Sequence, residues 1–202
     1  MTTFLLVRHG NSTAGESIPG RLKGVHLSDS GKEQVNLLAE RLACINCDAI
    51  VASPLERTSE TAEKIAERMG KTVKYSDALL EIDFGEWVGM RFDELEGTSA
   101  WHLWHAFRSG TRIPGGEIIG EVQARMVSQV EQLCRQYPDG TVLVVSHGDP
   151  IRSLIAYYIG LPLDQMLRIR IDTASVSTLI VTHYGAELVG LNARGNGVVA
   201  FP

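Results

Sequence analysis

Two short motifs carry most of the chemistry this chain can offer. Arg8-His9-Gly10 follows the apolar run Thr3 to Val7, and Ser146-His147-Gly148 follows the apolar run Thr141 to Val145. Ser53 follows a third run, Asp48 to Ala52, with Arg57 one helical turn beyond it, and Glu81 comes after a fourth, Thr72 to Tyr75. Short continuous apolar runs read as strands buried on both faces. Ligands of open α/β sheets bind beyond the carboxyl ends of the strands. Two histidines, two arginines and a carboxylate therefore converge on one rim from separate segments.

That set suits phosphoryl transfer. Two planar guanidinium forks neutralise a phosphate dianion, and helix N-termini after Ser53 and Asp149 add backbone donors. A neutral imidazole is a nucleophile, and a second histidine can donate to the equatorial oxygens as transition-state charge spreads. A carboxylate can protonate the leaving oxygen and then activate water. An Arg-His pair alone at a strand end is more often structural, and His9 gains its weight from His147. Arg57 sits in a first helical turn, where the dipole disfavours a cation, which suggests a purpose other than surface charge. Asp83 and Glu86 compete with Glu81 for the acid's role.

The elements that must hold these residues alternate along the chain. Val35, Leu38 and Leu42 have helical spacing, with Ser30-x-x-Glu33 as a capping box. Ser53-Pro54-Leu55-Glu56 reads as a second capping box, with proline at the first helical position, opening a helix to Met69 that Gly70 stops. Asp77 to Gly116 is irregular, with two short helices and all three tryptophans (Trp87, Trp101, Trp104). A long helix over Glu117 to Gln136 places Val122, Met126, Val130 and Leu133 on one stripe. Another starts at Asp149-Pro150 and ends near Gly160. Val176 to Thr182 and Glu187 to Leu191 flank a Tyr184-Gly185 turn as a hairpin. The glycine-rich stretch Ala193 to Pro202 is expected to fray. This alternation predicts an α/β sandwich with a largely parallel sheet and antiparallel pairing near the C-terminal end.

The 202 residues suggest one domain, at roughly 150 residues per domain. Nineteen Lys and Arg against 24 Asp and Glu give a net charge of −5, which argues against a non-specific nucleic-acid or anionic-membrane binder but permits a local basic pocket. Arg8 ends the Phe4 to Val7 run too early for a signal-peptide core, so a cytoplasmic protein is expected. Cys44-x-x-Cys47 reads as a helix-to-strand connection, since it follows a helical stretch and no second Cys/His pair completes a zinc site.

Taken together, Arg8-His9-Gly10, Ser53-x-x-x-Arg57-x-x-x-Thr61-Ala62 and Ser146-His147-Gly148-x-x-Ile151-Arg152 resemble the histidine phosphatase superfamily, in the branch that contains cofactor-dependent phosphoglycerate mutase. Glu81-Ile-Asp-Phe-Gly85-Glu-Trp87-x-Gly89 is similar to that family's acid–base segment, and Pro114-Gly115-Gly116-Glu117 to its later glycine–glutamate motif. The resemblance implies a three-layer α/β/α sandwich in which His9 is the phosphorylated nucleophile. It makes Arg8, Arg57 and His147 the remainder of the phosphate pocket and Glu81 the proton donor. It further implies that Arg21, in Gly20-Arg21-Leu-Lys-Gly24, is a phosphate-proximal arginine. Asn11, Gly15 and His26 depart from residues common in the family at pocket-lining positions and bear on substrate identity.

The expected activity is phosphomonoester hydrolysis of a small metabolite, without metal or cofactor. A phosphoglycerate mutase is the alternative, disfavoured because Glu81 to Gly116 is compact and holds only Pro114. An inactive binding module of the same fold is a third reading, and the complete Arg8, His9, Arg57 and His147 set speaks against it. Residues 82 to 116 are expected to form a lid, with the Trp101 to His105 segment packed in it rather than holding a metal. The expected partner is a small phosphorylated substrate, with no nucleic acid or membrane, and a homodimer stays open.

Overall fold

The computed structural model describes residues 1–195. Its strands are β1 (Thr2–Arg8), β2 (Ala49–Ala52), β3 (Val73–Tyr75), β4 (Thr141–Ser146), β5 (Val176–Thr182) and β6 (Gly185–Ala193). Its α-helices are α1 (Asp29–Leu42), α2 (Glu56–Met69), α3 (Phe92–Glu96), α4 (Ser99–Ala106), α5 (Ile119–Gln136) and α6 (Gly148–Tyr158). The strands form one sheet in the order β3-β2-β4-β1-β5-β6. β1, β2, β3 and β4 pair in parallel, and β5 runs antiparallel to both β1 and β6.

The apolar runs are continuous because both faces are covered. Successive strand side chains point to opposite faces. Phe4, Leu6, Val142 and Val144 enter one core with Val122, Met126 and Val130 of α5 and Ile151 and Leu154 of α6. Leu5, Val7, Leu143 and Val145 enter the other with Leu38 and Leu42 of α1 and Ala62 and Ile65 of α2. The fold is a three-layer α/β/α sandwich, mostly parallel, closed by an antiparallel hairpin.

Three local expectations are corrected. The N-cap of α1 is Ser28, not Ser30, and its Oγ accepts from the Gly31 N–H at 3.1 Å. This first turn lies against the loop after His9, where a Cβ on Gly31 would come within 1.9 Å of Asn11 O, so only glycine fits. α2 opens at Glu56 with Leu55 as a cap that has no side-chain bond. The Ser53 hydroxyl is engaged elsewhere, on His147 Nε2 at 2.9 Å. Finally, Ala193 pairs with Val176 in β6, so the strand runs further than the expected tail allows. The remainder of that tail, residues 196–202, lies outside the described residues.

The segment before α5 folds over the carboxyl end of the sheet. Trp87, Trp101 and Trp104 meet one another at ring-centroid distances of 5.4 to 5.7 Å, and Trp87 and Trp104 are buried in the α5/α6 core. Gly85, with φ +47°, lets this segment touch residues 114–116, since a Cβ there would fall 2.1 Å from Pro114 O. Among the described residues no helix is long and apolar enough to cross a membrane.

Candidate active site

Parallel pairing places three strand ends side by side. Arg8 is in register with Ser146, and Ala52 with Val145. The ladder continues past the strands, with His9 N–H donating to Ser146 O and Ser53 N–H to Val145 O. His9, Ser53 and His147 therefore stand together, and the His9 and His147 rings meet edge-on at 5.1 Å. His9 borders a cavity of about 430 Å³ whose lining also includes Arg8, Asn11, Arg57 and Glu81, and His147 and Ser53 lie buried behind it.

Each group is held by one atom and left free at another. His9 Nδ1 lies 2.7 Å from Gly10 O, and a carbonyl can only accept, so the proton is on Nδ1 and Nε2 keeps its lone pair. Arg8 donates one nitrogen to Ile171 O and Arg57 one to Gly20 O, at 2.7 and 2.8 Å. Arg8 Nε, Arg57 Nε and Nη1, and His147 Nδ1 are buried donors or potential donors without a partner among the described residues. A buried unsatisfied polar group costs about 1–3 kcal/mol, so four in one place mark a site built for acceptor oxygens.

Burial sets the protonation states. Desolvation, then the charges of Arg57 and Arg8, push the His9 pKa down to about 3. Desolvation, then the charges of Arg57, His9 and Arg125, hold His147 well below the ordinary imidazole range. Both rings are thus neutral near pH 7. Glu81 moves the other way: desolvation raises its pKa, Asp149 adds to this, and Arg57 and Arg8 oppose it. Its Oε2 stands 3.9 Å from His147 Nδ1 and its Oε1 accepts from Ile82 N–H. A carboxyl held toward its protonated form beside a neutral nucleophile can act as an acid first and a base afterwards.

Arg21 is the correction here. It does not line the cavity. Its Nε donates to Glu81 O at 2.9 Å and its Nη2 to Glu117 Oε2 at 2.8 Å. Arg125, which the sequence reading missed, donates to the same Glu81 carbonyl at 3.0 Å and to Glu117. Glu117 Oε2 also accepts from Asp83 N–H. Two guanidiniums joined by one carboxylate thus grip the Glu81 main chain, and two opposite charges close by explain why Arg21 stays there rather than facing a phosphate. Asp83 and Glu86, the competing acids, do not line the cavity.

Asn11 and Gly15 line the cavity but His26 does not, its ring being hydrogen-bonded to Glu60. The segment before α5 contributes Phe84, Phe92, Trp101, Trp104 and His105 to the lining. Three charged lining residues had no reading of their own in the sequence: Arg108, Asp149 as a charge, and Arg152, which bonds Asp149 at 2.6 Å. An arginine in the Phe107-Arg108-Ser109 stretch carried no periodic signal that would mark it as buried. Among the described residues no group of three or more His, Cys, Asp and Glu side chains could hold a metal ion.

Comparison with known proteins agrees with this geometry. Residues 4–194 match the model of the histidine phosphatase superfamily, branch 1. The chain is 33% identical over 197 residues to phosphoserine phosphatase 1 of Hydrogenobacter thermophilus, covering 95% of this chain and 92% of that one. It is also 33% identical over 190 residues to a Photorhabdus laumondii protein named "Probable phosphoglycerate mutase GpmB", covering 91% and 86%. Among solved structures, the alpha-ribazole phosphatase of Shigella flexneri superposes with a TM-score of 0.85 at 26% identity, covering 98% of this chain and 100% of that one. With the two-histidine, two-arginine pocket in place and nearly the whole chain matched, this protein belongs to the histidine phosphatase superfamily.

Proposed function

We propose that the chain is a phosphomonoesterase that acts on small phosphorylated metabolites through a phosphohistidine at His9. One observation carries the reading: the His9 Nδ1–H is tied to Gly10 O, which leaves Nε2 unprotonated and facing a pocket of unpaired cationic donors. Nε2 attacks phosphorus while the bond to the leaving oxygen breaks, and Glu81 gives that oxygen its proton. Arg8, Arg57 and the free Nδ1 of His147 stabilise the charge that spreads over the equatorial oxygens. In this reading the Ser53 hydroxyl, 2.9 Å from His147 Nε2, donates to it, which places the ring's proton on Nδ1. Water then attacks the phosphohistidine, Glu81 takes a proton from it, and phosphate leaves with His9 Nε2 free again.

Water rather than a second substrate alcohol is the acceptor in this reading, supported by the compact Glu81 to Gly116 lid. The mutase name of one relative supports the opposite assignment. The test is phosphate release from an aryl phosphate and from a metabolite panel in the presence of a chelator, with acid-quench trapping of labelled protein. Labelled His9 with turnover to phosphate is expected. Rapid interconversion of 3- and 2-phosphoglycerate from a bisphosphate primer, with negligible phosphate release, would reverse the assignment. A cytoplasmic location is part of the same proposal.

A further inference from the structure

The loop that leads into β5, residues 169–175, is bonded to the phosphate pocket along its length. Ile171 O accepts from Arg8 Nη1 at 2.7 Å, and the Ala174 N–H is shared between Arg8 O and His9 O, at 3.1 Å each. Ser175 O accepts from the Arg8 N–H, Ile169 O accepts from Arg152 Nε, and Thr173 lines the cavity. The side chain of Arg8 and the main chain of His9 therefore stand where this loop puts them. Ala174 keeps a φ of +54°, which a residue with a Cβ holds only where its surroundings impose it.

On its far side the loop is gripped by Asn192, near the end of β6. Asn192 Oδ1 accepts from the Asp172 N–H at 2.6 Å, and its Nδ2 donates to Asp172 Oδ2 at 3.0 Å. The other partners of that carboxylate, Arg170 and Arg194, are more than half exposed, and ion pairs of that kind contribute little. Asn192 reaches the loop because β6 is irregular there. Val176 pairs with Ala193 but Thr178 with Gly190, so three steps of β6 lie against two of β5. A bulge of this kind re-aims a side chain. Asn192 takes a φ of +56°, which asparagine tolerates, and its own N–H donates to the buried Ser177 Oγ at 3.0 Å.

The Asp172 N–H and the Ile171 carbonyl belong to one planar peptide unit. Asn192 holds that unit by its N–H and Arg8 is held by its oxygen, so each bond polarises the other and the tilt of the plane aims the guanidinium. We propose that Asn192, which does not itself line the cavity, is a positioning residue for phosphoryl transfer and sets where Arg8 stands through this peptide. This rests on the hydrolase reading above.

Glycine is the informative substitution, since it accepts a positive φ and removes both side-chain bonds. Arg8 serves the phosphoryl group and not the leaving oxygen. Asn192→Gly should therefore lower kcat/KM about 10–100-fold on aryl and alkyl phosphates alike, and weaken competitive inhibition by inorganic phosphate. Acid-quench counting of phosphoenzyme corrects each rate for the folded fraction. The loss should disappear in an Arg8→Met background, where no guanidinium is left to place. Wild-type kcat/KM in Asn192→Gly, or the same fold-loss with and without Arg8, overturns the proposal. If Asn192→Gly does not fold, Asn192→Asp is compared with the exchange Asn192→Asp/Asp172→Asn. The single change sets two carboxylates together, whereas the exchange rebuilds the bridge and should recover activity; equal kcat/KM in the two overturns the proposal. If the wild type releases no phosphate from any ester, the hydrolase reading fails, and calorimetric binding of inorganic phosphate decides this inference alone. Weaker binding by Asn192→Gly than by wild type supports it; equal affinity, or none in either protein, overturns it.

Discussion

Acidification of the empty protein gives the most direct measure of how His9 is held. Its pKa is pushed from 6.5 to about 3 in the folded state, by burial and by Arg57 and Arg8. Between those two values the unfolded chain binds a proton that the folded chain does not, so stability rises with pH across that window. The contribution is complete above the unfolded pKa and is lost as pH falls toward the folded one. Each pH unit inside the window corresponds to about 1.4 kcal/mol, so moving from pH 7 to pH 4 should remove about 3 kcal/mol through His9. Urea unfolding in phosphate-free buffer at both pH values reads this loss. The control is His9→Asn, whose amide can still donate to Gly10 O but does not titrate. Acidic losses from other groups, His147 included, are common to both proteins and cancel in the difference. Wild type should lose about 3 kcal/mol more than His9→Asn. A difference below about 1 kcal/mol would refute the burial of His9 against the two guanidiniums, and with it the account of why Nε2 is unprotonated at neutral pH.

Glu81→Gln should lower kcat on alkyl phosphates by about 10²–10⁴-fold while sparing much of the activity on an activated aryl phosphate, and equal losses would remove its assignment as the acid. Glu117→Gln should show a weaker version of the same selectivity, about 10–100-fold on alkyl esters, because it loosens the Arg21 and Arg125 grip on the Glu81 carbonyl. A uniform loss on both ester types would make that grip structural only. Ser53→Ala strands His147 Nε2 in a buried setting and should cost about 1–3 kcal/mol in urea unfolding, together with a lowered kcat. Unchanged stability and turnover would contradict the hydrogen bond at the heart of that assignment.

The sequence exposes residues whose place follows from the main chain alone. Arg8, His9 and His147 adjoin buried strands, and parallel pairing must bring strand ends to one rim, so their convergence was legible before any side chain was placed. Arg57 was legible because a cation in a first helical turn needs a reason. What a side chain touches across the fold was not legible. Arg21 and Arg125 are 104 positions apart in sequence, and only the tertiary fold brings both to one carbonyl of Glu81. Arg108 gave no signal, since its burial depends on Trp104 beneath it and Asp149 from a distant helix. The misplaced cap of α2 and the missed role of Ser53 are one fact. The Ser53 hydroxyl is turned toward His147 and the helix starts one residue after Leu55, a tertiary contact that local pattern does not reveal.

The arginines of this site divide by what anchors them, and the division follows their work. Arg8 and Arg57 are each fixed on a backbone carbonyl, Ile171 O and Gly20 O, with no carboxylate in hydrogen-bonding contact among the described residues. A carbonyl dipole positions a guanidinium without cancelling its charge, so both cations keep their field for the group that enters beside His9. Their burial is costly until that group arrives, as the downward pull of desolvation on both pKa values shows. Arg21 and Arg125 are tied instead to Glu117, and Arg152 to Asp149, which suits cations that brace the structure. Arg108 falls between these classes. It shares Asp149 with Arg152 and stacks on Trp104, with its Nε unpartnered among the described residues. A chain with a net charge of −5 thereby attracts an anionic substrate to one place, because the cations there are fixed by dipoles and shared carboxylates rather than paired one for one.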